Sequence, residues 1–369
     1  MMNKSEWKKV KLEECANINM GQSPISSSYN INGDGIPFYQ GNADFGELYP
    51  KLRYFCNKPI KIANEKDLLL SVRAPIGKIN IAKTSCCIGR GLCAITPKRD
   101  IILQKYLYYI LKYKEDEFNS KGTGSTFKAI NKKQILETML LLPNIDIQKN
   151  IILKLENCEK LLKLKKEQFL NLEKLVKFQF LKMFGEPINN VYNFQKCKIK
   201  DIALKKLMYG SGSSAVEFDN KVRYIRITDI DNLGNLKTEK VSPSLFEDKY
   251  LLSEGDILFA RSGATVGKTF YFKKNYGKCI FAGYLIRLTP NQSKVLPEYL
   301  FYFTKTDFYN NFIKSNSKTV AQPNINAQQY ENLEILIPPI ELQNKFAEFV
   351  KQVDKSKVEK FFDFKKAVA

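Results

Sequence analysis

The stretch INKKQILETMLLLPNIDIQKNI, Ile130 to Ile151, decides how this chain is read, because it occurs twice. Its counterpart is INAQQYENLEILIPPIELQNKF, Ile325 to Phe346, aligned without a gap at an offset of 195 residues. Ile130 and Ile325, Asn131 and Asn326, Gln134 and Gln329, Leu141 and Leu336, Pro143 and Pro338, and Gln148 and Gln343 are identical pairs. The likeness continues upstream in the same order. KDLLLSVRAPIGKINIA answers GDILFARSGATVGKTFYF, RGLCAITPKRDIILQKYLYYIL answers GYLIRLTPNQSKVLPEYLFYFT, and VKLEECANINMGQSP answers CKIKDIALKKLMYGSGS. An ordered duplication of this kind predicts two units of one architecture. The halves diverge around residues 24–60 and 214–250, where little matches beyond IPFYQGNAD and VRYIRITDI.

Each repeat runs into a helical segment. Residues 147–184 hold neither Gly nor Pro, and Ile151, Leu155, Cys158, Leu162, Lys165, Phe169, Leu172, Val176, Gln179 and Met183 recur at alternating steps of three and four. That is a heptad seam on a helix about 55 Å long. FGEP, Phe184 to Pro187, stops it. The repeat offset places Phe346, Val350, Val353, Lys357, Lys360 and Phe364 on the matching line of a shorter distal helix. A lone amphipathic helix is unstable in water, so the two are expected to bury their seams against each other, antiparallel.

GATVGKT, Gly263 to Thr269, resembles a phosphate-binding loop but lacks its spacing: three residues, not four, separate Gly263 from Gly267. Its counterpart RAPIGK keeps only the arginine, glycine and lysine. The shared feature is a hairpin, Asp67–Val72 to Lys78–Ala82 in one half and Asp256–Ala260 to Lys268–Phe272 in the other, closed by a basic turn suited to a phosphate backbone.

Composition narrows the function further. Lys and Arg number 59 against 38 Asp and Glu, a net charge of +21 that favours a polyanionic partner, nucleic acid first. The absence of histidine removes Ser-His and Cys-His nucleophile pairs and histidine metal sites. The eight cysteines form no Cys-x-x-Cys pair and read as reduced thiols of a cytoplasmic protein, and no apolar run approaches membrane-spanning length. No Asn/Asp-Pro-Pro-aromatic methyltransferase motif and no paired nuclease carboxylates are found, so no catalytic and no metal residues are expected.

The pattern resembles the specificity (S) subunit of type I restriction–modification enzymes. The resemblance rests on the opening W-x-x-V-x-L…G-x-S-P (Trp7 to Pro24), on GDILFARSGATVGK (Gly255 to Lys268), on P-x-I-x-x-Q leading into each helix (Pro143–Gln148, Pro338–Gln343), and on FGEP. It implies an α+β chain of two tandem target-recognition domains, each a mixed β-sheet with helices, separated by long helices forming an antiparallel coiled coil. The boundaries would be 1–146, a central helix 147–186, 187–339, and a distal helix 340–369. It implies a non-catalytic chain that reads a bipartite double-stranded DNA target and docks two modification (M) subunits and restriction (R) subunits. S-adenosylmethionine would belong to M, and ATP with Mg to R. The alternative is a stand-alone DNA-binding or scaffold protein. The chain departs from the family pattern in its short distal helix, with Lys357 and Lys360 on the seam, and in the shorter RAPIGK turn.

Three loop regions recur in both halves and are expected to share a DNA-facing surface. The first holds Gln22 and Ser23, with Ser211 and Ser213 opposite. The second is the hairpin turn: Arg73 and Lys78, then Arg261, Ser262, Thr265 and Lys268. The third is the polar loop with Lys121, Thr123, Ser125 and Lys128, matched by Lys318, Thr319, Gln322 and Asn324. The divergent strand ends add Tyr39, Gln40 and Asn42, and Arg226, Thr228 and Asp229. Lysines here would position the phosphate backbone, while Arg and amide side chains would read base edges. The expected seam is Ile151, Leu155, Cys158, Leu162, Phe169, Leu172 and Val176 against Phe346, Val350 and Val353.

Overall fold

The computed structural model describes residues 7–124, 128–317 and 323–368, with side chains through Lys357. The chain divides into two compact units, residues 1–163 and 164–369. The first holds β1 (Lys8–Lys11), α1 (Leu12–Cys15), β2 (Ala16–Met20), β3 (Tyr29–Asn30), β4 (Ile36–Tyr39), β5 (Tyr54–Cys56) and β6 (Ile62–Ala63). It continues with β7 (Leu68–Ser71), β8 (Ile79–Ile81), β9 (Cys86–Ile88), β10 (Leu92–Pro97), α2 (Gln104–Tyr113), α3 (Glu115–Lys121), α4 (Lys132–Leu136) and β11 (Met139–Leu142). Helix α5 (Ile145–Phe184) runs on into the second unit. There follow β12 (Gln195–Lys198), α6 (Ile199–Ile202), β13 (Met208–Tyr209), β14 (Ala215–Glu217), β15 (Arg223–Ile225), β16 (Val241–Pro243), β17 (Ile257–Ala260) and β18 (Thr269–Tyr271). The unit closes with β19 (Cys279–Phe281), β20 (Leu285–Leu288), α7 (Pro297–Phe303), α8 (Asp307–Ser317), α9 (Ala327–Glu331), β21 (Glu334–Ile337) and α10 (Ile340–Val368).

The duplication seen in sequence reappears as topology. Each unit has an antiparallel four-stranded sheet, β2-β10-β7-β8 in the first and β13-β20-β17-β18 in the second. Each has a two-stranded ribbon, β1-β11 and β12-β21. Each has one parallel pair, β4 with β9 and β15 with β19. The parallel pair lies in a five-stranded sheet in the first unit and stands as a pair in the second, beside β14-β16. The expected hairpins are β7-β8 and β17-β18. All four residues of β7 and all four of β17 are buried, as in strands covered on both faces.

The repeated motif explains itself in three dimensions. Asn131 caps α4: its Oδ1 accepts the N–H of Gln134 and the Gln134 Oε1 accepts the N–H of Asn131, both at 2.9 Å. Asn326 and Gln329 close the same reciprocal box on α9, also at 2.9 Å. Gln148 and Gln343, in the first turns of α5 and α10, are fully buried amides. Gln148 accepts the N–H of Leu103 at 2.8 Å and donates to the carbonyls of Pro143 at 2.9 Å and Ile101 at 3.1 Å. Gln343 accepts from Leu296 at 2.8 Å and donates to Pro338 at 2.8 Å and Lys294 at 3.2 Å. Tyr106 and Tyr299 tie the next helix to the same strand through the carbonyls of Leu141 and Leu336, at 2.8 and 2.7 Å.

Within the second unit, α5 and α10 pack against each other in opposite directions. Phe346 meets Phe180 and Phe184 edge-on with centroids 5.4 and 5.5 Å apart, while Lys357, further along α10, reaches back to Glu173 at 2.5 Å. Val176, Phe346, Val350 and Val353 are buried in one core with Tyr299 and Phe303, and Leu172 packs against it. After Val176 the buried line continues through Phe180 and Phe184, not through Gln179 and Met183 as the heptad count expected. A straight helix of 3.6 residues per turn drifts off a 3.5-residue seam, and the large aromatic rings capture the drifted position. Toward the other end of α5, Ile151 packs on the core of the first unit, Cys158 and Phe169 are half-buried, and Leu155 and Leu162 are exposed. The aromatic helices are mostly core: Tyr106, Tyr108, Tyr299, Tyr302 and Tyr309 are buried, and Tyr113 is exposed.

Replacing Gln343 with Leu keeps the bulk but strands one buried N–H and two carbonyls. At about 1–3 kcal/mol per unsatisfied group, the variant is expected to lose about 3 kcal/mol or more in urea-induced unfolding. A loss below about 0.5 kcal/mol would show that the amide is not a structural clamp.

Candidate functional site

In the first unit the predicted loops meet at one end of the sheets, joined by backbone hydrogen bonds. The loop after β2 is held by Gly21 N to the Leu92 carbonyl at 2.9 Å and Gln22 N to the Ile88 carbonyl at 3.0 Å. The strand end after β4 is held by Gly89 N to Tyr39 O at 2.8 Å and Gly91 N to Gln40 O at 3.1 Å. Val72 N binds Gly91 O at 2.9 Å, Ile130 N binds Val72 O at 3.0 Å, and Ala74 N binds Lys128 O at 3.2 Å, which brings in the hairpin and the polar loop. Gly91 is required there, since a Cβ would lie 2.5 Å from the Gln40 carbonyl oxygen.

The second unit repeats the arrangement. Ser211 N binds Phe281 O at 2.8 Å, Gly283 N binds Ser211 O at 2.7 Å, and Ala282 N binds Ile225 O at 2.9 Å. Arg261 N binds Tyr284 O at 3.0 Å and Ile325 N binds Arg261 O at 2.8 Å. The guanidinium of Arg261 lies 4.7 Å from the Tyr209 ring centroid, and its Nε donates to Asn324 at 3.3 Å. Arg261, Asn324, Tyr209 and exposed Tyr284 thus form one polar and aromatic cluster.

The individual side chains differ in exposure and in the partners they already hold. Gln22, Gln40, Arg73, Thr123, Lys128, Thr228 and Asn324 are exposed, and Ser23, Asn42, Ser213, Arg226, Arg261 and Ser262 are partly so. Several predicted contacts are already engaged elsewhere. Lys78 pairs with Glu115 at 2.6 Å, Lys121 with Glu117 at 2.6 Å, Thr265 donates to the Ser262 carbonyl at 3.0 Å, and Lys268 donates to the Ile230 carbonyl at 3.3 Å. Three expectations are corrected by burial. Tyr39 is 6% exposed and packs in a core with Ile88 and Leu92, because β4 sits inside the five-stranded sheet. Ser211 is 2% exposed and its Oγ is taken by the N–H of Ser213. Asp229 is 4% exposed and turned inward. Ser125, Lys318, Thr319 and Gln322 lie outside the described residues.

Two arginines at this end escaped the sequence reading. Arg90, flanked by Gly89 and Gly91, donates its N–H to Ser23 Oγ at 3.3 Å and leaves its side chain exposed. Arg53 lies in the divergent segment and binds the buried Asp44 through Nε at 2.8 Å and through Nη2. The first carries a signal in the sequence, a lone Arg between glycines joining two strands; the second has no counterpart at its position in the other repeat.

Lys268 and Lys305 line a cavity of about 470 Å³ in the second unit, with Lys174, Lys177 and Asn310. Lys305 donates to Thr269 Oγ1 at 3.1 Å and lies over the Phe301 ring at 4.4 Å. Burial lowers its pKa to about 8, against the opposing pull of Glu173 and Asp231. Among the described residues no cluster of three or more Cys, Asp or Glu could hold a metal ion, and no helix is long and apolar enough to cross a membrane.

A family model for the type I restriction modification DNA specificity domain matches residues 4–174 and again residues 192–360. The type I restriction enzyme MjaX specificity subunit of Methanocaldococcus jannaschii is 41% identical over 165 residues, a stretch covering 44% of this chain and 39% of that protein. This chain therefore spans less than half of that relative's length in the match. The MjaIX specificity subunit of the same organism is 25% identical over 375 residues, covering 94% of this chain and 86% of the relative. The crystal structure of the S subunit of a type I restriction–modification system from M. genitalium shares the fold, with a TM-score of 0.51 at 15% identity over 100% of this chain and 94% of that one.

Because the folded state disfavours the charged Lys305, it holds fewer protons than the unfolded chain between about pH 8 and the ordinary lysine value of 10.5. Stability contributed at this site therefore rises with pH across that window. Lys305→Met is expected to be more stable than the parent at pH 7 by roughly 1–3 kcal/mol, with the difference shrinking toward pH 10 in thermal or urea unfolding. A variant less stable at pH 7, or a difference independent of pH, would show that the amine is adequately solvated.

Proposed function

The chain belongs to the type I restriction–modification DNA specificity family, and from that membership we propose that it is the subunit that reads the DNA target, one half-site per unit. The observation that carries the reading is the paired loop cluster. The family's DNA specificity domain matches both halves, and in each half the loops after the first strand of the four-stranded sheet, after the parallel strand and at the hairpin turn are bonded into one surface. Arginine, glutamine and asparagine side chains stand at these loops and can address base edges in the major groove. The excess of 59 basic over 38 acidic residues supplies the backbone attraction.

In this reading α5 and α10 form an antiparallel coiled coil that spaces the two half-sites. Their opposed directions in the second unit, with Phe346 on Phe180 and Phe184, support it. Exposed Leu155 and Leu162 carry the seam further along α5. Two modification subunits and the restriction subunits are the partners, with S-adenosylmethionine in the first, and ATP and Mg in the second. This chain's own residues bind and orient, and the lack of histidine removes histidine general bases from it.

Two measurements test this. DNA affinity of the assembled complex is expected to fall with salt at a log–log slope of about −5 or steeper, while a flat response would assign the lysines to solvation of the surface. Exchanging residues 190–337 for the corresponding region of another S subunit is expected to replace one half-site and leave the other and the gap unchanged when methylated sites are mapped in cells. Loss of both half-sites together would refute one half-site per unit.

A further inference from the structure

We propose that Arg53 in the first unit and Arg226 in the second are guanine-reading residues, each aimed by a buried aspartate, Asp44 and Asp229, that acts as its positioning residue. The inference rests on the DNA-reading function proposed above and deepens it.

The two units build the same device from different sequence. In each, the strand of the parallel pair runs into a single 3₁₀ turn, Asn42–Asp44 after β4 and Ile227–Asp229 after β15. In each, the last residue of that turn is an aspartate with 3% or 4% exposure. Its carboxylate first closes the turn. Asp44 Oδ2 accepts the N–H groups of Gln40 at 2.7 Å and Gly41 at 3.2 Å, and Asp229 Oδ2 accepts the N–H of Arg226 at 2.9 Å. It then takes one arginine. Arg226 gives Nε to Oδ2 at 3.0 Å and Nη2 to Oδ1 at 2.8 Å. Arg53 gives both Nε and Nη2 to Oδ1 of Asp44. The two arginines come from different places, one starting its turn and the other nine residues after the aspartate, so the pairing is not inherited from an aligned position.

The geometry leaves the same edge free twice. Nε and one Nη2 hydrogen are spent on the aspartate. Two Nη1 hydrogens and the second Nη2 hydrogen remain, and no acceptor among the described residues takes them. That edge of the fork matches O6 and N7 of guanine, and the carboxylate behind it removes the rotational freedom a flexible arginine would lose on binding. The side chains are 50% and 34% exposed while their anchors are 4% and 6% exposed, the arrangement of an outward-pointing head on an inward-pointing base. Each buried carboxylate needs a cation, yet a half and a third of the two arginine side chains stay open to solvent, where a base edge can reach them. The devices also sit where the repeats diverge, in 24–60 and 214–250, and where different half-sites demand different side chains.

The test is selection of double-stranded DNA from a random pool by the full chain, comparing the parent with Arg53→Lys, Arg226→Lys, Asp44→Asn and Asp229→Asn. Lysine keeps the charge but not the fork. Each Arg→Lys variant is expected to lose preference for one guanine, by roughly tenfold or more, in one half-site only, with the other half-site intact. The matching Asp→Asn variant is expected to relax the same position. A change confined to one base position is not something general destabilisation produces. Unaltered base profiles, or profiles altered equally at all positions, would overturn the inference and make these arginines structural or phosphate contacts. A parent profile with no two-part motif would instead overturn the DNA-reading function on which the inference stands.

Discussion

A single buried amide, made twice, holds the architecture together. Gln148 and Gln343 stand where a strand has just ended at proline and a long helix begins, and each joins three segments: the strand end, the helix, and the loop leading into α2 or α7. With both a donor and an acceptor on one planar group, glutamine satisfies an N–H and two carbonyls that would otherwise be buried unpaired, and it does so at fixed angles. A carboxylate could not donate, and an aliphatic residue could do neither. The direction in which each long helix starts is therefore set by hydrogen-bond geometry at its first turn. The hydroxyls of Tyr106 on α2 and Tyr299 on α7 bind carbonyls of the same strands.

This division of labour accounts for what the two repeats keep and what they lose. Residues that satisfy backbone groups at the helix starts are identical: the Asn131/Asn326 and Gln134/Gln329 capping boxes and the buried Gln148/Gln343 pair. The loops at the other end of the sheets are tied down mainly by backbone atoms, as in Gly21 to Leu92 or Gly283 to Ser211. Backbone bonds do not specify side chains, so those loops are free to change sequence while keeping their place. A scaffold of this kind lets a reading surface diverge without refolding the domain.

Much of this was legible in the sequence because it is periodic or repeated. The duplication announced two units, the strand-turn-strand patterns gave β7-β8 and β17-β18, and the heptad count located α5. The site was legible only as loops. Sequence spacing cannot tell which way a side chain points from an irregular segment: it puts Tyr39, Ser211 and Asp229 at the surface, whereas a five-stranded sheet and tight turns bury them. Arg53 was invisible for the complementary reason: its partner Asp44 is nine residues away across a loop with no period, and no repeat marks it. The seam failed gradually, slipping from Gln179 to Phe180 as helical phase drifted and ring volume decided the contact.

The lysines make the limits of alignment concrete. Lys78 and Lys268 occupy equivalent places in the two hairpins, yet one is bound by a carboxylate on α3 and the other by the carbonyl of Ile230 beside a cavity. Equal position in a repeat therefore does not give equal chemistry once the neighbouring elements differ. The reverse also holds at the strand ends, where Arg53 and Arg226 occupy unequal positions and reach equal geometry on Asp44 and Asp229. What the two halves preserve outside the core is a buried acceptor at a fixed point of the fold. An acceptor in that place selects whichever arginine the local loop can deliver, and the delivered guanidinium then presents the same free edge. In the proposed reading, function in such a surface follows the anchor and not the aligned side chain, because the anchor is the part the backbone can hold still.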